Sequence, residues 1–327
     1  MGLSIHTNDL PRFVSDLTKS WAVYGPVEYK TSIKTQHRFQ KINHFKELSL
    51  GYGQTITPPK KYFLPDKEVL FKYKQGKISL PENDEMVIFG LSKKDGEGIF
   101  YLDKVMSKPV EEENYARRRK NIKLIVVDNL PPSNNLSCDL YLQRVDENHY
   151  QAFPYSSFGG NLIKESYFVR DQSTGTLSTR HLPDEIVFHP RLDEIVENSR
   201  NHPIWDQLAK KCLNCGICTY VCPLCYCFEI DDEIDITKDI EKDCQGCRYR
   251  EWDSCMLPDF NKVTFHNFRP EPKDRIYNWY YHKFVRMPRE YGFSGCIDCG
   301  RCVSYCPANI NFREVLKELI EDDSKQK

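Results

Sequence analysis

The cysteines form the clearest chemical pattern in this sequence. Of the 14 cysteines, 13 lie between Cys212 and Cys306. Two stretches of this region share the spacing Cys-x2-Cys-x2-Cys-x3-Cys-Pro. The first contains Cys212, Cys215, Cys218 and Cys222, and the second contains Cys296, Cys299, Cys302 and Cys306. Three closely spaced thiolates can surround one [4Fe–4S] cluster, while the fourth, which precedes proline, ligates another. The repeated spacing therefore predicts two [4Fe–4S] clusters.

Each cluster is expected to take ligands from both stretches. The first cluster is predicted to be held by Cys212, Cys215, Cys218 and Cys306. The second is predicted to be held by Cys296, Cys299, Cys302 and Cys222. The chain must turn tightly around each cluster, and Gly216 and Gly300 lie inside those turns. A structural zinc site fits less well, since it commonly uses two Cys-x2-Cys pairs and needs no proline-flanked fourth cysteine.

Five further cysteines lie in the same region, and two interpretations of them stay open. They are Cys225, Cys227, Cys244, Cys247 and Cys255. Cys244 and Cys247 form another Cys-x2-Cys pair, which with Cys255 and either Cys225 or Cys227 would make a four-thiolate site for zinc or a third cluster. The alternative is that some of them are buried free thiols, because free cysteine behaves as a small apolar residue.

Composition excludes several classes of protein. The chain has 327 residues, 40% of them apolar, which is enough for two domains with a real core. The net charge of −1 gives no reason to expect nucleic acid or an anionic membrane as a partner. No apolar stretch reaches the roughly 18 residues of a membrane span, and residues 1–10 lack the apolar core of a signal peptide. A cytoplasmic location is predicted, where clustered cysteines more often bind metal than form disulfides.

The first 200 residues contain one cysteine and have the pattern of an α/β region. Apolar residues at helical spacing predict a helix over 9–21. Short apolar runs at 86–89 and 123–127 predict two buried strands, with one face of a helix over 99–106 between them. Strand, helix and strand in this order indicate a βαβ unit.

The second region begins near His202 and Pro203 and closes with a predicted helix. Asn311 is the expected N-cap, with Glu314 three residues later as in a capping box. The aromatic segment 277–284 fits either of two roles, docking of a partner or packing between the two cysteine motifs. Asp298 and Arg301, inside the second motif, are interpreted as solvated loop charges in preference to residues that tune a cluster.

Several stretches of the sequence resemble one known family. They are TPPKKYF at 57–63, IFG at 88–90, CPLCYC at 222–227, REWDSC at 250–255, HNFRP at 266–270 and CPANI at 306–310. The chain resembles the beta subunit of the cytoplasmic nickel–iron sulfhydrogenases of archaea, and it is similar to the A subunit of anaerobic sulfite reductase. The likeness runs from about Thr57 to Leu319, which is most of the chain.

The resemblance implies a fold and a role. Members of this family carry electrons between a flavin- and nicotinamide-binding subunit and a catalytic subunit that handles hydrogen or sulfite. Their cluster domain is similar to the α-helical ferredoxins. The expected fold class is therefore α+β, with an N-terminal α/β domain over residues 1–200, serving to dock a partner, and an α-helical ferredoxin-like domain with two [4Fe–4S] clusters over residues 201–327.

One departure from the family concerns the N-terminal domain. The family carries four cysteines there that look suited to a third cluster. The matching positions here are Lys94, Leu130, Leu136 and Cys138, so one thiol remains. Since one thiolate cannot hold a cubane, we expect this domain to have lost its cluster.

The predicted function is electron transfer within a multi-subunit oxidoreductase. No G-x-G-x-x-G motif follows a strand, so the flavin and NAD(P) are expected on a partner subunit. The other partner is expected to be a catalytic hydrogenase or a sulfite or sulfur reductase subunit. The alternative is an enzyme that itself reduces sulfur compounds or disulfides at Cys225, Cys227 and Cys255, because thiols near clusters can be reactive.

Overall fold

The structure is a computed structural model that describes residues 2–31, 35–171, 187, 189–237 and 245–325. The chain divides into two compact units. Unit 1 consists of Met1–Pro59 and Asn83–Leu182, and unit 2 consists of Lys60–Glu82 and Pro183–Lys327. The segment 60–82, which lies within the range 1–200 of the predicted N-terminal domain, thus belongs to unit 2.

Fourteen strands are found in the described residues. They are β1 (Gly2–His6), β2 (Ala22–Lys30), β3 (Thr35–Ile42), β4 (Lys67–Lys74), β5 (Lys77–Ser79), β6 (Met86–Leu91), β7 (Ile122–Asp128), β8 (Leu140–Arg144), β9 (His149–Pro154), β10 (Phe168–Asp171), β11 (Phe228–Ile234), β12 (Gln245–Trp252), β13 (Lys262–Val263) and β14 (His266–Asn267).

The α-helices of the described residues number eleven. They are α1 (Leu10–Ser20), α2 (Lys93–Met106), α3 (Glu113–Lys120), α4 (Ser157–Leu162), α5 (Leu192–Asn198), α6 (Ile204–Lys211), α7 (Ile217–Tyr220), α8 (Pro272–Tyr281), α9 (Met287–Tyr291), α10 (Arg301–Ser304) and α11 (Phe312–Lys325). A π-helical segment, His282–Arg286, joins α8 to α9.

Unit 1 is built on one mixed sheet with the strand order β10-β1-β9-β8-β7-β6-β2-β3. Strands β2, β6, β7 and β8 are parallel neighbours, whereas the outer pairs are antiparallel. The predicted strands are present as β6 and β7, and α2 lies between them in sequence. The buried residues of α2 include Ile99, Leu102 and Val105. The βαβ unit predicted from the sequence is therefore confirmed, as is the helix α1, which buries Leu10, Phe13, Val14 and Leu17.

Unit 2 contains a sheet that the sequence analysis did not predict. Strands β11, β12, β4 and β5 form an antiparallel sheet in this order. Two of these strands lie between the cysteine motifs, and two come from the segment 60–82. The C-terminal region is thus a mixed α and β structure. The pairing of β4 with β12 explains why 60–82 belongs to unit 2.

The helices of unit 2 pack around an aromatic core. Trp205, Trp279, Tyr280, Phe284 and Phe312 are all buried in it. Phe284 of the π-helical segment and Phe312 of α11 stack with ring centroids 6.4 Å apart. Helix α11 therefore packs against the helical stretch that precedes the second motif. The segment 277–284 is therefore packing in the core of unit 2, and the partner-docking interpretation of it is not supported.

Asn311 caps α11 as predicted, but its contact with Glu314 joins the two side chains and does not follow the capping-box pattern. The Asn311 side-chain oxygen accepts a hydrogen bond from the Arg313 amide at 3.2 Å, and the Asn311 amide group donates to Glu314 at 3.0 Å. Within the described part of the chain, every helix is too short or too polar to cross a bilayer.

A buried ion pair on the unit 2 sheet gives a stability prediction. Glu68 on β4 lies directly opposite Arg250 on β12, and the two side chains form an ion pair with each almost completely buried. The variant Glu68→Gln leaves the guanidinium without this carboxylate. The free energy of unfolding of unit 2 should fall by about 3–5 kcal/mol, measured by anaerobic denaturant unfolding.

The control is a neighbouring exposed pair on the same two strands. Glu251 lies opposite Lys67 at 3.8 Å, with both side chains more than half exposed. The variant Glu251→Gln should cost about 1 kcal/mol or less. Equal losses for the two variants would contradict the assignment of the buried pair.

Candidate iron–sulfur centre

The two cysteine motifs share one backbone conformation. The residue directly before the second cysteine adopts positive φ in both copies, 52° at Asn214 and 53° at Asp298. The glycine after the second cysteine does the same, with φ of 75° at Gly216 and 78° at Gly300. Since positive φ is costly for most residues with a side chain, glycine is needed at the tightest point of each turn. Each glycine then starts a one-turn helix, α7 or α10.

Backbone amides point at the cysteine sulfurs in both copies. The Asn214 amide donates to Cys212 Sγ at 3.4 Å, and the Asp298 amide donates to Cys296 Sγ at 3.3 Å. The Ile310 amide donates to Cys306 Sγ at 3.3 Å. Hydrogen bonds to cysteine sulfur are one of the means by which proteins set the potential of iron–sulfur clusters. The turns thus provide donors that suit thiolate ligands.

Five cysteines from both motifs line one cavity. This cavity has a volume of about 70 Å³ and opens partly to solvent. Its lining includes Cys212, Cys215 and Cys218 from the first motif and Cys302 and Cys306 from the second. The remaining lining is largely apolar and includes Met256, Trp279, Tyr280 and Phe312. Four of these five cysteines are the set that the spacing predicts for the first cluster, and a largely apolar cavity lined by thiols fits such a group. Cys302, which the spacing assigns to the second cluster, also reaches this cavity.

The cysteines of the second predicted set also lie close to one another, as the pKa shifts of two of them indicate. Burial raises the pKa of the Cys296 thiol to about 12, and the nearby Cys222 and Cys299 contribute to this rise. Burial also raises the pKa of Cys302, and Cys296, Cys222 and Cys299 add to the effect. Cys222, from the first motif, is therefore a neighbour of cysteines of the second. The short helices α7 and α10 are in contact, which brings the two motifs together.

A site for a single ion is not formed. Among the residues that the structure describes, no three His, Cys, Asp or Glu side chains are grouped closely enough to hold one metal ion. Thiolates on one zinc ion each lie about 2.3 Å from it. The described cysteines are therefore not arranged as a mononuclear zinc site.

The additional cysteines do not form one group. Cys225 contacts Cys222, and the thiol of Cys255 donates to the Cys227 sulfur. Cys255 is 6% exposed, and its hydrogen bond is the main cause that lowers the pKa of Cys227 to about 7. Cys225, Cys227 and Cys255 are thus neighbours beside the second ligand set.

Cys247 lies elsewhere in unit 2. On β12 it is opposite Glu233 and Lys72. Cys247 is five residues from Trp252, the last residue of β12. This end of the strand lies beside Cys227. At about 3.3 Å per residue, this separation is about 17 Å. Cys244 lies outside the described residues.

Two buried lysines beside the motifs were missed by the sequence analysis. Lys283 Nζ donates to Cys222 Sγ at 3.3 Å and to the Gly295 carbonyl at 2.9 Å. Lys60 Nζ donates to the Cys225 carbonyl at 2.6 Å and to the Thr219 carbonyl at 3.3 Å. For Lys283, the sequence signal of a buried charge was a lysine within the aromatic-rich segment 276–287. Lys60 lies in TPPKKYF at 57–63, one of the stretches that resemble the family.

The charges inside the second motif are not solvated. Arg301 is almost fully buried. Asp298 forms an ion pair with Arg313 of α11, and its side chain is only 10% exposed. The interpretation of both as solvated loop charges is therefore wrong, because α11 packs over this turn.

In unit 1 the positions of the family's additional cysteines form a packed region. Leu136 is buried. A Cβ atom added to Gly96 of α2 would lie only 2.6 Å from the Leu136 side chain, so the two residues are closely packed. The Leu130 carbonyl accepts a hydrogen bond from the Tyr141 hydroxyl at 2.6 Å. Burial raises the pKa of Cys138 to about 12. The remaining thiol is therefore protonated at neutral pH.

Comparison with known proteins agrees with the cysteine geometry. A family model described as a 4Fe-4S dicluster domain matches residues 211–310, which contain both motifs and the strands between them. The whole chain is also similar to the Sulfhydrogenase 2 subunit beta of Pyrococcus furiosus. The two sequences are 31% identical over 341 residues, an alignment that covers 98% of each chain. On this similarity, the chain belongs to the family of iron–sulfur beta subunits of the sulfhydrogenases.

Proposed function

We propose that this chain is the electron-transfer subunit of a cytoplasmic, multi-subunit oxidoreductase. It relays electrons through two [4Fe–4S] clusters between a flavin- and NAD(P)-binding subunit and a catalytic subunit of the hydrogenase or sulfite/sulfur reductase type. The observation that carries the proposal is the cavity lined by Cys212, Cys215 and Cys218 of one motif and by Cys302 and Cys306 of the other. Thiols from two distant motifs around one cavity are what a cross-ligated pair of clusters requires.

The residues of the chain hold and separate the two centres. Cys212, Cys215, Cys218 and Cys306 bind one cluster, and Cys296, Cys299, Cys302 and Cys222 bind the other. When bound, the clusters supply reversible one-electron transfer. The contact between α7 and α10 keeps the two ligand sets adjacent. Cys215 is exposed and the other seven ligand cysteines are partly buried, so contact with water, which is one determinant of cluster potential, is reduced at most of them.

The partners are inferred from what the chain itself lacks and from its family. The sequence has no dinucleotide-binding fingerprint, so the flavin and NAD(P) belong to another subunit. The similar archaeal protein is named as a subunit of a sulfhydrogenase, which supports a catalytic partner of that type. Unit 1, in which one thiol remains at the family's cluster positions, serves to dock a partner without a cluster of its own.

A sulfur- or disulfide-reducing activity of the chain itself is the second candidate. The neighbouring Cys225, Cys227 and Cys255 favour it. Two features weigh against it. Cys255 is buried, which restricts access of a substrate, and the described residues hold no group that suits a single ion.

Anaerobic purification from the native host tests the relay directly. We expect about eight iron atoms and no zinc per chain, as two cubanes require, together with a flavoprotein and a catalytic subunit. The measurement is metal analysis combined with identification of the co-purifying chains. A lone chain with about twelve iron atoms, or with iron and zinc, would instead support a third site with its own chemistry.

Cross-ligation predicts an unusual pattern of iron loss in paired variants. Cys306→Ser combined with Cys212→Ser should leave about four iron atoms per chain, because both ligands belong to one cluster. Cys306→Ser combined with Cys296→Ser should leave almost none, because each change removes a ligand from a different cluster. The reverse pattern would show that each motif binds its own cluster. Cys247→Ser, in the same unit but away from both sets, serves as the control and should retain about eight.

Unit 1 should contribute no iron. The variant Cys138→Ser removes the one thiol left at the family's additional cluster positions. Since a single, partly buried and protonated thiol cannot hold a cubane, iron content and the visible spectrum should match those of the unmodified chain. A loss of about four iron atoms per chain would show that unit 1 holds a cluster after all.

A further inference from the structure

Lys283 lies between the two cysteine motifs with its ammonium group on a ligand sulfur. It belongs to the π-helical segment His282–Arg286, and its exposed fraction is 4%. Nζ donates to Cys222 Sγ at 3.3 Å and to the Gly295 carbonyl at 2.9 Å. The same ammonium group therefore touches the end of the first motif and the entry to the second.

The backbone fixes Lys283 in this position. The Gly295 amide donates to the Lys283 carbonyl at 2.7 Å. A Cβ at Gly295 would lie 2.8 Å from Lys283 Cα, which is closer than real contacts allow. The two segments approach this closely because residue 295 is glycine. The Trp279 ring, with its centroid 5.1 Å from Nζ, covers the ammonium group from one side.

The groups near Lys283 that can carry negative charge are cysteine thiols. A buried ammonium group is costly unless an opposite charge or hydrogen-bond acceptors compensate it. Among the ion pairs found in the described residues, none joins Lys283 to a carboxylate. Its strongest electrostatic partners are Cys222, Cys225 and Cys296. The buried Lys60, and Cys218 of the first ligand set, interact with it as well. The geometry therefore suits a negatively charged group held at Cys222.

The first ligand set has no equivalent contact in the described hydrogen bonds. Its sulfurs receive hydrogen bonds from the neutral amides of Asn214 and Ile310. The buried Arg275 is nearby, but its guanidinium donates to the carbonyl oxygens of Met256, Arg269 and Pro270 and to the Asn214 side chain. The charge-assisted N–H···S bond thus distinguishes the second ligand set from the first.

We propose that Lys283 raises the reduction potential of the cluster held by Cys222, Cys296, Cys299 and Cys302 above that of the first. This inference rests on the proposed function. Reduction adds one negative charge to a cluster and makes or breaks no bond. A buried positive charge and a charge-assisted hydrogen bond both stabilise the reduced form. Electrons that enter at the first cluster are therefore held at the second, which gives the relay a direction.

The order of the two potentials is tested with variants that retain one cluster each. In an EPR-monitored redox titration, Cys212→Ser keeps the second cluster and should titrate at the higher of the two potentials of the unmodified protein. Cys296→Ser keeps the first and should titrate at the lower. The reverse order would overturn the inference. A protein that binds no [4Fe–4S] cluster at all would instead overturn the proposed function.

The role of Lys283 is tested by separating its charge from its hydrogen bonds. Lys283→Gln keeps a donor for Gly295 but loses the charge, and should lower the higher potential by at least a tenfold change in the redox equilibrium, about 59 mV for one electron. Lys283→Arg keeps the charge and should restore most of the potential. Lys317→Gln, at a 70% exposed side chain on α11, makes the same change in net charge and should shift neither potential.

Two results would contradict the charge-based account. One is an unchanged potential in Lys283→Gln with full iron content. The other is an equal shift in Lys283→Gln and Lys283→Arg, which would indicate that Lys283 only shapes the site. If Lys283→Gln fails to retain iron, a reversed order of potentials in the two one-cluster variants would still overturn the inference.

Discussion

Cys306 has to reach a cavity that it shares with Cys212, Cys215 and Cys218 of a different motif, and much of unit 2 is arranged around this requirement. The chain leaves the first motif at Cys222, forms the strands β11 and β12, and returns through α8, the π-helical segment and α9. Only then does the second motif begin. Because the short helices α7 and α10 are in contact, the fourth cysteine of each motif lies near the first three of the other. The long intervening segment is thus compatible with two compact, interlocked ligand sets.

The aromatic core and the two lysines depend on the same arrangement. Trp279, Tyr280 and Phe284 fill the space between the motifs, and Phe312 of α11 packs over them. The ammonium groups of Lys283 and Lys60 lie where this apolar core meets the cysteines. Burial tends to lower the pKa of both groups, but the cysteine neighbours of Lys283 more than offset that effect and raise its pKa. Apolar packing therefore restricts the access of water, while buried ammonium groups beside the cysteines compensate negative charge at the sulfurs.

The cysteine turns could be predicted from the sequence because their determinants are local. The spacing fixes the ligands, and glycine at 216 and 300 meets a backbone requirement that few other residues meet at low cost. The sheet of unit 2 was not predicted, because β12 pairs with β4, which lies far away in sequence. The alternating apolar and charged residues of 228–234 were a usable strand signal. The position of Lys283 could not be predicted, since it depends on the close approach of Gly295 in three dimensions.

The most direct test of the central claim is the EPR spectrum of the fully reduced, anaerobically purified chain. Two adjacent [4Fe–4S] clusters should give about two unpaired spins per chain, with line broadening or splitting from their magnetic interaction. Cys212→Ser should then leave a single, uncoupled signal. A spectrum of one spin, or of two spins without interaction, would contradict the account of two cross-ligated clusters held side by side.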